Sequence, residues 1–323
     1  MLDSFGLIEM GEMAGQLWNQ PGLQPGALWA KVVAQTRHAL SCGALQPIPT
    51  RSDFIDQNRI RFLVRVLDNL ARKAAADRQQ EQQAKAGKDF NPFLPYDPDL
   101  FVADLSSTHV CLLNKYNVVE HHLLLITREF EEQESLLTQP DFEALWIGLA
   151  EIDGMGFYNS GKTAGASQRH KHLQLVPLPL IPDGDRIPIE PALMTATWPS
   201  EIGSSTDLPF RHAVIRLDGA ASSPQQAAQA TLEAYYKLLT ALKLYSPVDH
   251  SLQGAYNLLI TRQWMLMVPR KQEQFASIPV NSLGFAGTLF VRDQDQFERL
   301  KAIGPLRLLQ EVADGHHPRE LTL

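Results

Sequence analysis

The stretch Ser167-Gln-Arg-His-Lys-His-Leu-Gln-Leu-Val176 decides how the rest of the chain is read. Its pattern predicts a strand over Arg169–Val176. Side chains on a strand point to opposite faces in turn, so His170, His172 and Gln174 share one face and Lys171, Leu173 and Leu175 the other. Two imidazoles and an amide, each able to donate and to accept hydrogen bonds, stand where a core strand would carry apolar groups. Two histidines on one face are also half of a metal site, which His121 or His122 could complete. No Cys-x-x-Cys or His-Glu-x-x-His accompanies them, however, and Gln174 is a poor metal ligand. An amide is a good donor to a phosphoryl oxygen. The triple therefore points to a histidine that attacks phosphorus.

The upstream flank suits an anionic ligand. Gly154–Gln168 reads as a small-residue loop, in which Ser160, Gly161, Gly165, Ala166 and Ser167 let backbone amides approach phosphate oxygens. Between Gly154 and Pro182 there is no Asp or Glu, whereas Lys162, Arg169 and Lys171 are present. Gly156-Phe-Tyr-Asn-Ser-Gly-Lys-Thr163 also fits the G-x-x-x-x-G-K-[ST] pattern letter for letter. That pattern needs a strand before it and a helix after it, with the helix N-terminus on the phosphates. Here a helical stripe precedes and a strand follows, so the phosphate-loop reading is rejected.

Further out, strands and helices come in blocks. A helix is expected over Ala27–Leu40, with Leu28, Trp29, Val32, Val33 and Leu40 on one face and Gly43 as its stop. Strands are expected over Ile60–Val66, His109–Leu113 and His122–Thr127, the last two antiparallel. Three prolines make Asn91–Asp99 an irregular loop. A helix starts near Thr138, where Thr138-Gln-Pro-Asp141 resembles a capping box, and buries Phe142, Leu145, Trp146, Leu149 and Ile152. Pro177–Pro209 reads as a linker or wrapping segment. Strands near His212–Arg216, Ala255–Thr261, Trp264–Val268 and Leu289–Arg292 follow, with helices over Ser223–Leu244 and Pro305–Val312. This is an α+β pattern of antiparallel sheets with flanking helices. It divides into a region 1–200 carrying the histidine strand and a region 201–323 packed against it. The segment Ala71–Lys88 is alanine, glutamine and charge, and is assigned no chemistry.

Composition narrows the function. The chain has 323 residues, 44% of them hydrophobic and 20% charged, the profile of a globular protein. No apolar run approaches the ~18 residues that a membrane span needs. The net charge of −7 speaks against a nucleic-acid binder. Cys42 and Cys111 cannot make a disulfide framework or a four-thiolate zinc site, so a reducing cytoplasm is expected and no metal site is assigned.

His170-Lys-His-Leu-Gln174 resembles the His-x-His-x-Gln motif of the transferase branch of the histidine triad superfamily. Its surroundings narrow the resemblance. Asn159-Ser-Gly, Ala164-Gly-Ala-Ser-Gln168, Leu112-Leu-Asn-Lys-Tyr-Asn-Val-Val119 and His122-Leu-Leu-Leu-Ile-Thr-Arg128 resemble the diadenosine tetraphosphate phosphorylases, also called ATP adenylyltransferases. Tyr256-Asn-Leu-Leu, Trp264-Met-Leu-Met-Val-Pro-Arg270 and Leu283-Gly-Phe-Ala-Gly287 belong to the same pattern. The resemblance runs from about Ile60 to near the C-terminus.

The resemblance implies a histidine-triad-like fold and a nucleotidyltransferase acting through a covalent adenylyl-histidine. His172 would be the nucleophile, His170 would fix its tautomer, and Gln174 would donate to the α-phosphoryl oxygen. Asn159, Ser160, Gly161, Lys162, Thr163, Ser167 and Gln168 would cradle the polyphosphate, and Asn114 and Lys115 stand where relatives hold nucleotide or phosphate. His121 and His122, at a strand start, read as structural. Diadenosine tetraphosphate, phosphate, ATP and ADP would be the small-molecule partners. No covalently bound cofactor is implied, and Mg²⁺ would come with the polyphosphate. A monomer is the simplest expectation, with no nucleic-acid or membrane partner. Two other readings remain open on the residues: a sugar-1-phosphate uridylyltransferase, which shares the His-x-His-x-Gln logic, and a catalytically silent nucleotide-binding protein.

Overall fold

A computed structural model describes residues 23–67, 91–217 and 223–315. Its framework is a nine-stranded sheet in which every neighbouring pair is antiparallel. The strands are β3 (Phe101–Asp104), β4 (His109–Leu113), β5 (Leu123–Thr127), β6 (Gly154–Asn159), β7 (His172–Pro177), β8 (Ile202–Gly203), β9 (Ala213–Arg216), β10 (Ala255–Ile260) and β11 (Trp264–Arg270). Their order is β3-β4-β5-β7-β6-β10-β11-β9-β8, so the histidine strand lies inside the sheet and the two halves of the chain share one ladder. A smaller sheet joins β1 (Thr50–Gln57) and β2 (Ile60–Leu67) to β12 (Thr288–Val291), which runs parallel to β2.

Helices α1 (Leu28–Cys42), α2 (Gln139–Glu151) and α3 (Pro224–Ala241) cover one face of the large sheet and share its larger core. Gly43 ends α1 in the left-handed conformation, where a side chain would be strained. The buried face of α1 is Leu28, Val32, Thr36 and Ala39, while Trp29 and Leu40 are exposed. The expected stripe is thus rotated towards the small residues that fit against the sheet. Asp141 Oδ2 accepts the Thr138 backbone N–H at 2.7 Å and opens α2 as the capping box requires. Ser223 Oγ accepts from the Gln226 N–H at 3.3 Å and caps α3.

The other face carries two separate apolar clusters. One, around Phe157, Val176, Leu259 and Phe285, packs under the small sheet and under α4 (Gln294–Ile303) and α5 (Pro305–Val312). Pro177–Pro209 wraps this cluster, burying Leu180, Ile187, Ile189 and Leu208. The second cluster is Phe93, Val110, Leu112, Leu124 and Ile126. Register places Leu124 beside Gln174 and Ile126 beside His172, with Phe157 on the far side of Gln174. The polar face of β7 is therefore a strip between two apolar clusters.

A second expectation is corrected: the first six residues of the Gly154–Gln168 loop are strand β6, wholly buried. Its glycines serve packing, not looping. A Cβ on Gly156 would lie 2.5 Å from Leu145 of α2, and one on Gly148 of α2 would lie 2.6 Å from Leu175 of β7. The segment Ala71–Lys88 lies outside the described residues. No helix among the described residues is long and apolar enough to cross a membrane.

Candidate active site

His172 opens β7 and is almost wholly buried. Its Nδ1 donates to the carbonyl of His170 at 2.8 Å, two residues back on the same extended segment. That bond fixes the tautomer and leaves the lone pair on Nε2, which has no hydrogen-bond partner among the described residues. Burial pushes the imidazole down to about 4, against the pull of the His170 carbonyl, and the neighbouring His170 ring lowers it further. At neutral pH, His172 is an uncharged base with one directed lone pair.

Backbone amides orient the neighbouring groups in turn. Asn91 Oδ1 accepts from the Phe93 N–H at 3.0 Å, so its Nδ2 donates to His170 Nδ1 at 2.8 Å. The opposite nitrogen of His170 then donates to the Thr127 carbonyl at 2.8 Å. Burial lowers the His170 imidazole, while Thr127 and Glu131 oppose the shift. The second relay starts at Asn114, whose Oδ1 accepts from the Tyr116 N–H at 3.3 Å and whose Nδ2 donates to His122 Nδ1 at 3.2 Å. His122 Nε2 then donates to Gln174 Oε1 at 2.9 Å. The carbonyl end of the Gln174 amide is thus committed, and its NH₂ has no partner among the described residues. Phe93 packs edge-on against both rings, 5.7 Å from His170 and 5.3 Å from His172.

His122 is therefore part of the site and not only a strand-start residue. Burial takes it down to about 4, with the Gln174 hydrogen bond opposing and the His172 ring assisting. Asn91, Phe93, Thr127 and His122 were not among the expected site residues. Of these, only His122 carried a signal, as a histidine at the head of the strand that pairs with β7.

The loop after β6 is held by a buried hydrogen-bond network. Asn159 Oδ1 accepts from Asn257 Nδ2 at 2.8 Å and from the Ser282 N–H at 2.9 Å. Asn257 also donates to the Ala164 carbonyl at 2.8 Å and accepts from Arg270. The buried Arg270 guanidinium, brought down to about 9 by burial against the opposing pull of Glu273, donates to the Ala164 and Val280 carbonyls. Ser160 Oγ is buried without a partner among the described residues. Gly161 has φ +79°, and the side chain of Glu134 fills the place of its missing Cβ. Thr163 and Gln168 are half-buried, and Lys162 and Ser167 are exposed. Those four side chains make no hydrogen bond among the described residues. The backbone carbonyl of Lys115 accepts from the Gln46 N–H at 2.8 Å, and its ammonium lies 5.7 Å from the Tyr116 ring.

Two parts of the sequence reading change. The cations of Gly154–Pro182 are largely spent, because Arg169 pairs with Glu132 and Lys171 with Glu131 and Asp141. The acids that pair with them lie upstream, Glu131 and Glu132 in the loop before α2 and Asp141 in its first turn. Lys162 alone of the three has no ion-pair partner among the described residues. A strand does enter the G-x-x-x-x-G-K-[ST] segment, contrary to expectation, since Gly156 lies within β6. What leaves it is a three-residue 3₁₀ turn, Lys162–Ala164, and not a helix, so the phosphate-loop geometry still fails. Separately from this site, His38, Cys42 and Asp99 bring metal-ligating atoms within 4.8 Å of one another at the surface.

An uncharged imidazole with an open Nε2, an amide donor beside it and a glycine-bearing loop at the end of β6 together offer a lone pair and N–H donors that suit an anionic group. Residues 18–195 match the Ap4A phosphorylase N-terminal domain and residues 206–314 the ATP adenylyltransferase C-terminal domain. The chain belongs to the Ap4A phosphorylase family. It is 28% identical over 265 residues to diadenosine 5',5'''-P1,P4-tetraphosphate phosphorylase 2 of Saccharomyces cerevisiae, covering 76% of this chain and 80% of the yeast protein. Protein APA1 of the same yeast is 26% identical over 252 residues, covering 74% and 78%. The crystal structure of yeast Ap4A phosphorylase Apa2 superposes with a TM-score of 0.72 at 24% identity, over 91% of this chain and 97% of that one. The same protein in complex with Ap4A gives 0.71 at 23%, over 90% and 98%. As a member of the Ap4A phosphorylase family, the chain is a nucleotidyltransferase with an α+β fold of this type.

Proposed function

We propose that this protein phosphorolyses diadenosine tetraphosphate, with inorganic phosphate, to ATP and ADP through an adenylyl group carried on His172. The lone pair of His172 Nε2 attacks the α-phosphorus at one end of the dinucleotide. A P–N bond forms, the bond from that phosphorus to the bridging oxygen breaks, and ATP leaves. An oxygen of phosphate then attacks the same phosphorus, the P–N bond breaks, and ADP leaves with His172 restored. Splitting the displacement in two avoids direct attack of one anion on a polyanion. Gln174 donates its free NH₂ to the α-phosphoryl oxygen, where negative charge is held in each transition state.

The observation that carries this reading is the Nδ1–H bond from His172 to the His170 carbonyl, which leaves Nε2 unprotonated and unpartnered in a buried site. The relatives named for diadenosine tetraphosphate phosphorylase support the choice of substrate. The test is incubation with diadenosine tetraphosphate with and without phosphate, with the nucleotides resolved. ATP plus ADP, formed continuously only when phosphate is present, is the expected result. Two ADP molecules per dinucleotide, or no turnover, would contradict it.

A further inference from the structure

The ladder between β6 and β7 ends before the site. Its last paired residues are Phe157 and Gln174, and Asn159 and His172, two residues beyond on each strand, are not paired directly. The side chain of Gln133, from the loop between β5 and α2, occupies the gap. Its Oε1 accepts the His172 backbone N–H at 2.8 Å. Its Nε2 donates to the Asn159 carbonyl at 2.9 Å and to the His172 carbonyl at 3.2 Å. One carboxamide thus supplies the bonds that a neighbouring strand would have made. It holds both the N–H and the C=O of the residue that bears the nucleophilic imidazole.

Gln133 is itself fixed. It is 2% exposed, its N–H donates to the Arg169 carbonyl at 2.7 Å, and its carbonyl accepts the Tyr158 hydroxyl. The Lys171 N–H, between the two histidines, donates to the Glu131 carbonyl at 2.8 Å. The loop 131–133 therefore grips the backbone of residues 169–172 on both sides of His170.

From this juxtaposition we infer that Gln133 is a positioning residue for the transfer reaction, holding the His172 backbone so that Nε2 meets the α-phosphorus in line. The inference rests on the proposed role of His172. A carboxamide suits the place because it is at once acceptor and double donor. A carboxylate would set an oxygen against two carbonyls, and an apolar group would leave three backbone groups unpaired. Rotation of the His172 backbone by even ~1 Å at Nε2 is the kind of displacement that costs about a hundredfold in rate.

The test compares Gln133→Met, which keeps the length and removes the hydrogen bonds, and Gln133→Glu, which keeps only the acceptor. Both are measured beside His172→Ala, with thermal unfolding used to establish that each is folded. The expected result for either folded Gln133 variant is a kcat about a hundredfold lower with KM for diadenosine tetraphosphate within about threefold of the parent. A packing role alone would leave kcat unchanged in whichever variant folds. A kcat within about threefold of the parent, or a loss carried by KM, overturns the inference. Failure of the underlying reading looks different: His172→Ala would then turn over at the parental rate, whatever the Gln133 variants do.

Discussion

The two faces of β7 and of the extended residues that lead into it bury polar groups to similar depth and leave them in opposite states. On the helix-covered side, the ammonium of Lys171 meets Asp141 at 2.8 Å, Glu131 at 3.0 Å and the Leu136 carbonyl at 3.0 Å, one partner for each of its three protons. Asp141 also accepts from His109 at 3.1 Å, and those bonds outweigh burial and hold its carboxyl at about 2. On the opposite side, among the described residues, His172 keeps an unpartnered Nε2 and Gln174 an unpartnered NH₂, each aimed by a saturated neighbour. The saturated face is scaffold, while the unsaturated one leaves a lone pair and two N–H donors uncommitted among the described residues.

Four experiments press on that contrast. Replacing His172 with Ala removes the proposed nucleophile and little core volume. Turnover should fall more than about a thousandfold, ~4 kcal/mol in barrier, with the unfolding midpoint little changed. Activity within about tenfold of the parent would remove His172 from the mechanism.

Lys171→Met attacks the other face. It strands the Asp141 carboxylate with one partner fewer, and stability should drop by about 3–5 kcal/mol in denaturant unfolding, while protein that remains folded keeps its kcat. A variant of normal stability and poor kcat would mean that the saturated face takes part in the chemistry.

Gln174→His changes the donor on the open face without filling it. An imidazole can assist water where an amide cannot, so part of the adenylyl group should pass to water and appear as AMP in saturating phosphate, at a rate changed by about tenfold. If the group still passes wholly to phosphate at the parental rate, Gln174 does not touch the reacting phosphorus.

The smallest effect on turnover is that of acid. Because burial holds His172 at about 4, its neutral form persists below the usual imidazole range, and turnover should survive at pH 5 before falling near 4. Stability moves earlier. His122 and His172 both titrate near 4 when folded and near 6.5 when unfolded, so between those values the unfolded chain binds more protons. The denaturant midpoint should therefore fall from pH 7 to pH 5, and less steeply in His172→Ala.

The sequence made the two faces of β7 legible because a strand has a period of two and the polar residues occupy alternate positions. The caps of α2 and α3 were equally plain, being local. β6 was not, since Gly154 and Gly156 resemble loop glycines until Leu145 and Leu175 are seen against the sheet at those places. The stripe on α1 was misplaced because Thr36, hydrogen-bonded to His121 Nδ1 at 2.9 Å, and Ala39 take the buried face in place of Trp29 and Leu40. Gln133 could not be found from its neighbours: its partners Asn159 and His172 lie 26 and 39 residues away, and no periodicity joins them. Nor could pairing of Arg169 with Glu132 be read from a charge census confined to one segment.

The central claim is that Nε2 of His172 carries the adenylyl group between the two half-reactions. The direct measurement is mass spectrometry of the peptide spanning His170–Gln174 after incubation with diadenosine tetraphosphate in the absence of phosphate. The account predicts one adenylyl group, located on His172, that is discharged as ADP when phosphate is added. Steady turnover with phosphate and no such adduct without it, or an adduct on His170, would contradict the account.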